Sequence, residues 1–217
     1  MPGYVYRVAQ KFNDNGSGVR GDMKAVIRAI LTDYEARSSD MLAQQGFGKL
    51  REPLLRTTAV MRALHAYSFY APYNWSIDLT DQELGQTPMN SPTVFNFYEP
   101  GYVYPGVLAQ NGLVSPEFQI TNETTTMTVA NWFAWGIGYG FKYGDIKLNL
   151  ATEQQLAGNP SALVDRLNLL LCAGQLSDQA KAAIVNHLNT IPAGDPLGRA
   201  KAAVYLVVSG KQFAVQR

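Results

Sequence analysis

The chain of 217 residues has few of the side chains that most often carry catalysis or bind metals. It contains one cysteine, Cys172, and two histidines, His65 and His187. A single cysteine excludes an internal disulfide and a cysteine-based zinc site, and the two histidines lack metal-ligand spacing such as His-x-x-x-His. The sequence therefore predicts no metal centre. The apolar run LNLLLCAG around Cys172 predicts a buried thiol.

Basic residues are missing from the centre of the chain. Between Arg62 and Lys142 the sequence has no Lys or Arg, but it has six acidic residues. Ten aromatic residues fall within 67–104 of the same stretch. A surface that binds nucleic acid needs basic groups among its aromatic side chains. The sequence therefore predicts no nucleic-acid partner.

The chain also lacks a long apolar run. The longest weakly polar stretch, Met127–Phe141, is shorter than the ~20 residues that a spanning helix needs, and it contains Thr128 and Asn131. The first ten residues, MPGYVYRVAQ, have no apolar core behind basic residues and do not form a signal peptide. We predict no membrane span.

Motifs that would name a reaction or a cofactor are absent as well. The sequence has no Gly-x-Ser-x-Gly, no Walker loop and no Gly-x-Gly-x-x-Gly between a strand and a helix. The glycines of GIGYGF follow no predicted strand. The sequence thus predicts no cofactor and leaves open whether the protein is an enzyme.

Helical periodicity is the strongest positive signal. In 22–37 the apolar residues recur at helical spacing, and capping pairs such as Asn159-Pro160 and Asp195-Pro196 open later helices. We predict an all-α fold, an irregular helical bundle forming a single domain over 1–217. The predicted helices cover about 2–12, 22–37, 51–67, 116–135, 160–173, 177–190 and 196–208. The threonine-rich part of the fourth of these, 120–130, leaves a strand as the alternative.

The segment of about 67–115 has little helical period but five prolines and the ten aromatic residues. Loops of this length without structure are uncommon in compact domains, and disordered segments are poor in aromatic residues. We therefore predict a long loop that packs across the helices.

The stretch NDNGSGVRGDM, Asn13–Met23, allows three interpretations. As a calcium loop it would have Lys24 at the twelfth position, where the bidentate Glu is required. As an adhesion ligand, Arg-Gly-Asp would need an exposed tip. Asp22 instead stands directly before an amphipathic helix, where its carboxylate can accept free backbone N–H groups. We predict a joint between two helices.

Several segments carry a resemblance to a known family. They are VAQKFNDNGSGVRGDMKAVIRAILTDYEAR, GKLREPLLR, SPTVFNFYEPGY, VSPEFQITNE, LVDRLNLLL and YLVVSGKQFAVQR. Over these segments, in order, the chain resembles the bacterial family catalogued as domain of unknown function 1800. The resemblance implies a largely α-helical fold and the C-terminal half of a longer protein. It also implies a missing N-terminal helical half as partner and an exported, periplasmic or extracellular, parent protein. The family has no established activity, so no catalytic residue is carried over.

Two segments supply candidate binding residues. GKLREPLLR places Lys49 and Arg51 at a helix entrance, where they could hold an anion, although Glu52 and Arg56 could also form an ordinary i,i+4 pair. SPTVFNFYEPGYVYPG combines rings with amide and carboxylate groups and no basic residue, which suits a neutral polysaccharide or an apolar peptide. The alternative is that these rings only fix the loop to the helices. The predicted ligand-binding residues are Asn96, Tyr98, Glu99, Tyr102, Tyr104, Lys49 and Arg51.

Two functions remain open. The first is a non-catalytic binding or scaffold module of an exported bacterial protein, with a polysaccharide or another protein as partner. The second is half of a hydrolase-like enzyme whose active site is shared with the missing N-terminal half. In that case the acids and base to test are Glu52, His65, Glu99 and Glu117.

Overall fold

The structure, a computed structural model, describes residues 2–44, 47–71 and 76–216. Tyr73 and Trp75, which the sequence assigns to the aromatic loop, lie outside the described residues. The fold is mainly α-helical, as predicted, with only short antiparallel strands. The chain divides into two compact units, Met1–Gly48 and Lys49–Gln216.

The first unit is built from helices α1 (Pro2–Asn13), α2 (Met23–Thr32) and α3 (Tyr34–Arg37) and a 3-10 turn, Ser39–Ala43. The predicted joint between α1 and α2 is confirmed. Asp22 caps α2 by accepting hydrogen bonds from the backbone N–H groups of Lys24 and Ala25 at 3.0 and 3.2 Å. The side chain of Asn15 donates to the other oxygen of Asp22 at 2.8 Å. The carboxylate therefore fixes both the loop and the helix start.

The second unit contains the remaining elements. Its helices are α4 (Pro53–Ala63), α5 (Asp81–Leu84), α6 (Val107–Gln110), α7 (Glu123–Gly138), α8 (Phe141–Gly144), α9 (Ala151–Leu156), α10 (Pro160–Cys172), α11 (Asp178–Thr190), α12 (Pro196–Val208) and α13 (Lys211–Ala214). A 3-10 turn, Pro116–Ile120, precedes α7. The strands are β1 (Lys49–Leu50), β2 (Tyr67–Ser68), β3 (Ile146–Lys147) and β4 (Val215–Gln216).

Helix α12 is at the centre of the second unit. It contacts α7, α9, α10, α11 and α13, and small side chains make this possible: Ala200, Ala203, Val204 and Val207 are fully buried. Apolar faces of α4, α7, α10 and α11 complete one core. Burial of this apolar surface is the main source of the unit's stability.

Two antiparallel strand pairs connect distant parts of the second unit. β1 pairs with β4 with Lys49 opposite Gln216, and β2 pairs with β3 with Tyr67 opposite Lys147. Asp145 strengthens the second pair, because it accepts hydrogen bonds from the Ser68 hydroxyl at 2.6 Å and the Tyr70 N–H at 3.2 Å. These bonds lower the pKa of Asp145, the Ser68 bond most strongly.

Several predicted helices have different bounds in the structure. The predicted helix 22–37 is divided at Asp33, whose carboxylate caps α3 and pairs with Arg7 of α1 at 2.7 Å. The predicted helix 51–67 ends at Ala63, before His65 adopts a positive φ of 47°. The segment predicted as a helix over 116–135 is a 3-10 turn followed by α7. The threonine-rich part from Glu123 onward is therefore helical, not a strand.

The helices of the second unit are short, and the described part of the chain holds no helix with both the length and the hydropathy needed to cross a bilayer. Among its described residues, the segment 67–115 contains only β2, α5 and α6 as regular elements. The thiol of Cys172 is buried, as predicted, and burial raises its pKa to about 11.

Candidate functional site

The structure brings Glu52, at the start of α4, together with the predicted loop residue Tyr98. The hydroxyl of Tyr98 donates to one carboxylate oxygen of Glu52 at 2.8 Å, and the amide of Gln86 donates to the other at 2.6 Å. The carbonyl of Gln86 in turn accepts the N–H of Leu54 at 3.2 Å. Gln86 thus satisfies a free N–H of the helix, a task that a capping side chain normally performs.

Burial, together with the hydrogen bond to Glu52, raises the pKa of Tyr98 to about 12. Tyr98 therefore stays protonated and acts as a donor at neutral pH. Asn96 contacts the same hydroxyl at 3.4 Å and adopts a positive φ of 75°. In this arrangement Glu52 and Tyr98 join the long loop to α4, which is the structural alternative that the sequence left open.

The other predicted loop residues are held mainly through their backbones. The N–H of Glu99 donates to the side chain of Gln119 at 2.7 Å, and the N–H of Tyr104 donates to the hydroxyl of Ser115 at 2.9 Å. The Tyr104 ring lies 5.1 Å from that of Phe118. The carbonyl of Tyr102 accepts the N–H of Ser115 at 2.8 Å. The carboxylate of Glu99 is exposed to solvent.

The predicted basic and acidic candidates lie in different surroundings. Lys49 is exposed in β1, whereas the Arg51 guanidinium stacks over the Phe213 ring at 5.0 Å. His65 lines a shallow pocket of about 300 Å³ in which Thr58 carries the sole hydroxyl among the described lining residues. Glu117 lies in the 3-10 turn close enough to Tyr98 to raise its pKa slightly.

The rings of the predicted loop are not sealed in the core. Of the eight that the structure describes, none is fully buried. Those exposed are Tyr67, Phe69, Tyr70, Phe95 and Tyr104. The rings of Phe69 and Tyr70 contact each other edge to face at 5.2 Å. These rings are available for contact with another molecule.

A cleft larger than the His65 pocket lies elsewhere, at the end of α7. Its volume is about 560 Å³, which is within the range of small-ligand sites. None of the predicted site residues lines it. Its lining residues are Ile77, Asp78, Leu79, Thr80, Glu83, Trp132, Trp135, Gly136, Tyr139, Gly140, Phe141, Lys142, Tyr143, Gly144 and Ile146.

Exposed aromatic rings form one wall of this cleft. Trp135 is 64% exposed and Tyr139, one helical turn later, is 72% exposed. Their ring centroids are 5.1 Å apart. Tyr143 on the following turn is also exposed. Tyr139 also lines a neighbouring pocket of about 460 Å³ together with Tyr67, one of the exposed rings of the predicted loop.

Polar groups of opposite charge face the rings across the cleft. Asp78 forms an ion pair with Lys142 at 3.0 Å, which lowers the pKa of Asp78. Lys142 also donates to the carbonyl of Ser76 at 3.3 Å. One oxygen of Glu83, Oε2, is buried and has no hydrogen-bond partner among the described residues. A buried carboxylate oxygen that has lost water without gaining a donor costs free energy.

Local sequence explains why the cleft forms at this place. Gly136 leaves room for the ring of Phe141, which a Cβ at this position would overlap. Gly140 has a φ of 116° and approaches the backbone of Gly144 closely, which only a residue without a side chain allows. On the opposite side, the hydroxyl of Thr128 donates to the carbonyl of Glu83 at 2.7 Å and fixes α5 against α7.

Sequence reasoning assigned no function to Trp135, Tyr139 or Glu83. The signal was present in NWFAWGIGYGF, where Trp135 and Tyr139 stand at i,i+4 and therefore share one helix face. The contribution of Glu83 could not be found in this way, since it comes from another helix.

Comparison with known families gives one match. The family model described as "Protein of unknown function (DUF1800)" matches residues 1–215. The chain belongs to this family. No curated protein and no solved structure matches this DUF1800 chain. The family description carries no activity, so the chemistry of the DUF1800 site must be argued from its geometry.

That geometry suits recognition. Exposed aromatic faces can stack on the apolar faces of a ligand, and the carboxylates and the amine at the cleft rim can exchange hydrogen bonds with hydroxyl groups. The part of the DUF1800 chain that the structure describes contains no cluster of three or more His, Cys, Asp or Glu residues able to hold a metal ion.

Proposed function

We propose that this DUF1800 chain is a non-catalytic binding module for a neutral polysaccharide. In this proposal it is one half of a longer exported bacterial protein, and the other half is its partner. The observation that carries the proposal is the cleft in which Trp135 and Tyr139 expose neighbouring rings beside Asp78, Glu83 and Lys142. Sugar rings have apolar faces and hydroxyl rims, and they match such a surface.

Charge supports a neutral ligand over a polyanion. Among the described residues that line the cleft, the single basic side chain, Lys142, is already paired with Asp78. Glu83 adds a second carboxylate. A negatively charged polymer would meet no free basic group among the described residues of this cleft, whereas hydroxyl groups can donate to the exposed carboxylate of Asp78.

The test is a pull-down with insoluble cellulose, chitin, xylan and β-1,3-glucan, followed by titration of the tryptophan fluorescence with soluble oligosaccharides of any polymer that binds. We expect Trp135→Ala and Tyr139→Ala each to weaken binding about tenfold, the equivalent of about 1.4 kcal/mol. Both side chains are exposed, so circular dichroism should show an unchanged fold.

Phe95→Ala is the matched control, because Phe95 is exposed in the predicted loop but does not line the cleft. We expect it to bind as the wild type does. A loss of binding in Phe95→Ala with retention in Trp135→Ala would move the site to the loop. Absence of binding to every polymer, by the full-length protein as well, would reject the proposal.

A second function, hydrolysis, is favoured by one observation. Glu83 has a buried oxygen without a described partner, and Asp78 lines the same cleft. Paired carboxylates on either side of a sugar are the usual apparatus of glycoside hydrolysis. The candidates from the sequence, Glu52, His65, Glu99 and Glu117, do not line this cleft.

Release of reducing ends separates the two functions. The binding-module proposal expects no release by the full-length protein, and it expects Glu83→Gln to retain most of the affinity. The hydrolase alternative expects release that Glu83→Gln abolishes, because a carboxamide cannot act as a general acid or base.

A further inference from the structure

Two neighbouring arginines of the second unit have no described partner. The side chains of Arg51 and Arg56 form no hydrogen bond and no ion pair within the residues that the structure describes. Nε of Arg56 is moreover buried. Buried guanidinium groups are normally paired, since each donor that loses water without gaining an acceptor costs free energy.

The carboxylate expected to compensate Arg56 is engaged elsewhere. The sequence offers Glu52 as an i,i+4 partner, but its two oxygens accept from Tyr98 and Gln86. Glu117, the other acidic residue near Tyr98, is not within ion-pair distance of either arginine among the described contacts. Neither arginine therefore has an ion-pair partner among the described residues.

Electrostatics agree with this geometry. Burial, and secondarily the charge of Arg51, lowers the pKa of Arg56 to about 10. At neutral pH the Arg56 guanidinium is still charged. Both arginines are only half-buried, so part of each side chain is accessible. They flank the first turn of α4.

We propose that Arg51 and Arg56 together bind an oxyanion, a carboxylate or a phosphate group, beside the start of α4. A guanidinium presents a planar fork of N–H donors that matches two oxygens of such a group. The Phe213 ring under Arg51 holds the fork in place at 5.0 Å. This site is separate from the aromatic cleft and does not depend on the polysaccharide proposal.

The test compares inorganic phosphate, sodium glucuronate and sodium chloride at equal ionic strength. Thermal unfolding and titration calorimetry are measured on the full chain. We expect phosphate, glucuronate or both to raise the melting temperature beyond the effect of chloride, because a ligand that binds only the folded state stabilises it. Response to one anion alone identifies the group that the site accepts.

Arg56→Gln and Arg51→Gln should each reduce the anion affinity at least tenfold. Arg62→Gln is the matched control, because Arg62 lies exposed on the same helix, and it should keep the wild-type response. Without added anion, Arg56→Gln should melt no lower than the wild type, since it removes a charge that lacks a partner.

Two results would overturn the proposal. One is a wild-type response to phosphate and glucuronate no larger than the response to chloride. The other is an unchanged anion response in Arg51→Gln. This variant changes the less critical packing position, so it remains informative even if Arg56→Gln does not fold.

Discussion

At the scale of single residues, the guanidinium groups of Arg56 and Arg199 differ, because only that of Arg199 has described hydrogen-bond partners. Arg199 is 8% exposed, yet its donors are paired. Nε and Nη2 donate to the carbonyl of Ile191 at 3.0 and 2.8 Å, and Nη1 donates to the carbonyl of Ala157 at 3.0 Å. The buried charge of Arg199 therefore joins the end of α9, the end of α11 and the start of α12.

From this difference we predict that Arg199→Met lowers the free energy of unfolding by about 3 kcal/mol. The substitution removes the hydrogen bonds to Ile191 and Ala157 and leaves two carbonyl oxygens without their donor. Urea unfolding measures the loss. Arg62→Met on the exposed face of α4 should change stability by less than about 0.5 kcal/mol. A loss of stability below about 1 kcal/mol for Arg199→Met would contradict the structural role of the Arg199 hydrogen bonds.

Ionised side chains at the surface of the first unit have a similar connecting role. Arg7 reaches from α1 to Asp33 at 2.7 Å and to Glu35 at 2.8 Å, and its guanidinium stacks over the Tyr34 ring at 4.6 Å. The hydrogen bond from Arg7 lowers the pKa of Asp33. The ion pair therefore stabilises this unit at pH values above the normal pKa of an aspartate. This stabilisation is lost when the pH falls far enough to protonate Asp33.

At the scale of elements, the cleft depends on the contact between α7 and the turn that follows it. Phe141 is fully buried and packs against Trp132, with ring centroids 5.3 Å apart. Its ring occupies the space that a side chain at Gly136 would need. The same helix contains Gly138, and a Cβ at this position would meet no atom within 4 Å.

These two glycines make a matched pair of substitutions. We predict that Gly136→Ala destabilises the protein by about 2 kcal/mol, because the added methyl group must displace the Phe141 ring. Gly138→Ala should be neutral or stabilise by up to about 1 kcal/mol, because alanine restricts the unfolded chain and favours a helix. Thermal unfolding of both variants checks the difference. Equal effects would contradict the close packing of Phe141 on α7.

A helix boundary could be predicted from the sequence where the residues that set it are close to it in the chain. The bounds of α10 and α12 agree with prediction within a residue. Asn159 and Asp195 cap these helices locally, and a proline follows each cap. The break of the helix predicted over 22–37 could not be found, since Asp33 is engaged by Arg7, 26 residues earlier. Local caps are visible in a sequence, whereas tertiary partners are not.

The residues of the candidate site are likewise brought together by tertiary contacts that the sequence does not show. The chemistry of Glu52 and Tyr98 could be proposed from their residue types, but their mutual hydrogen bond spans 46 residues. The cleft combines Glu83 of α5 with Trp135 of α7 through the bond from Thr128, which spans 45 residues. Composition indicated aromatic recognition, and only the tertiary fold could indicate which rings share a cleft with acidic groups.

At the scale of the whole molecule, the core of the second unit is drawn entirely from its own residues. The buried cluster extends from Val60 to Phe213, and none of the described residues before Lys49 belongs to it. The aromatic cleft and the arginine pair are also formed by residues after Gly48. The physical requirements for folding and for both proposed sites are therefore met within one unit.

We predict that a chain beginning at Lys49 unfolds in one cooperative transition and retains the polysaccharide and anion responses of the full chain.

A chain beginning at Ala63 is the control. It removes β1, which pairs with β4, and it removes Val60 and Met61 from the core. Loss of a few such side chains costs several kcal/mol, which is comparable to the stability of a domain. Urea unfolding should show a broad, non-cooperative transition for the shorter chain. If the chain from Lys49 behaved in the same way, residues before Lys49 would be needed for the core, contrary to the contacts of the second unit.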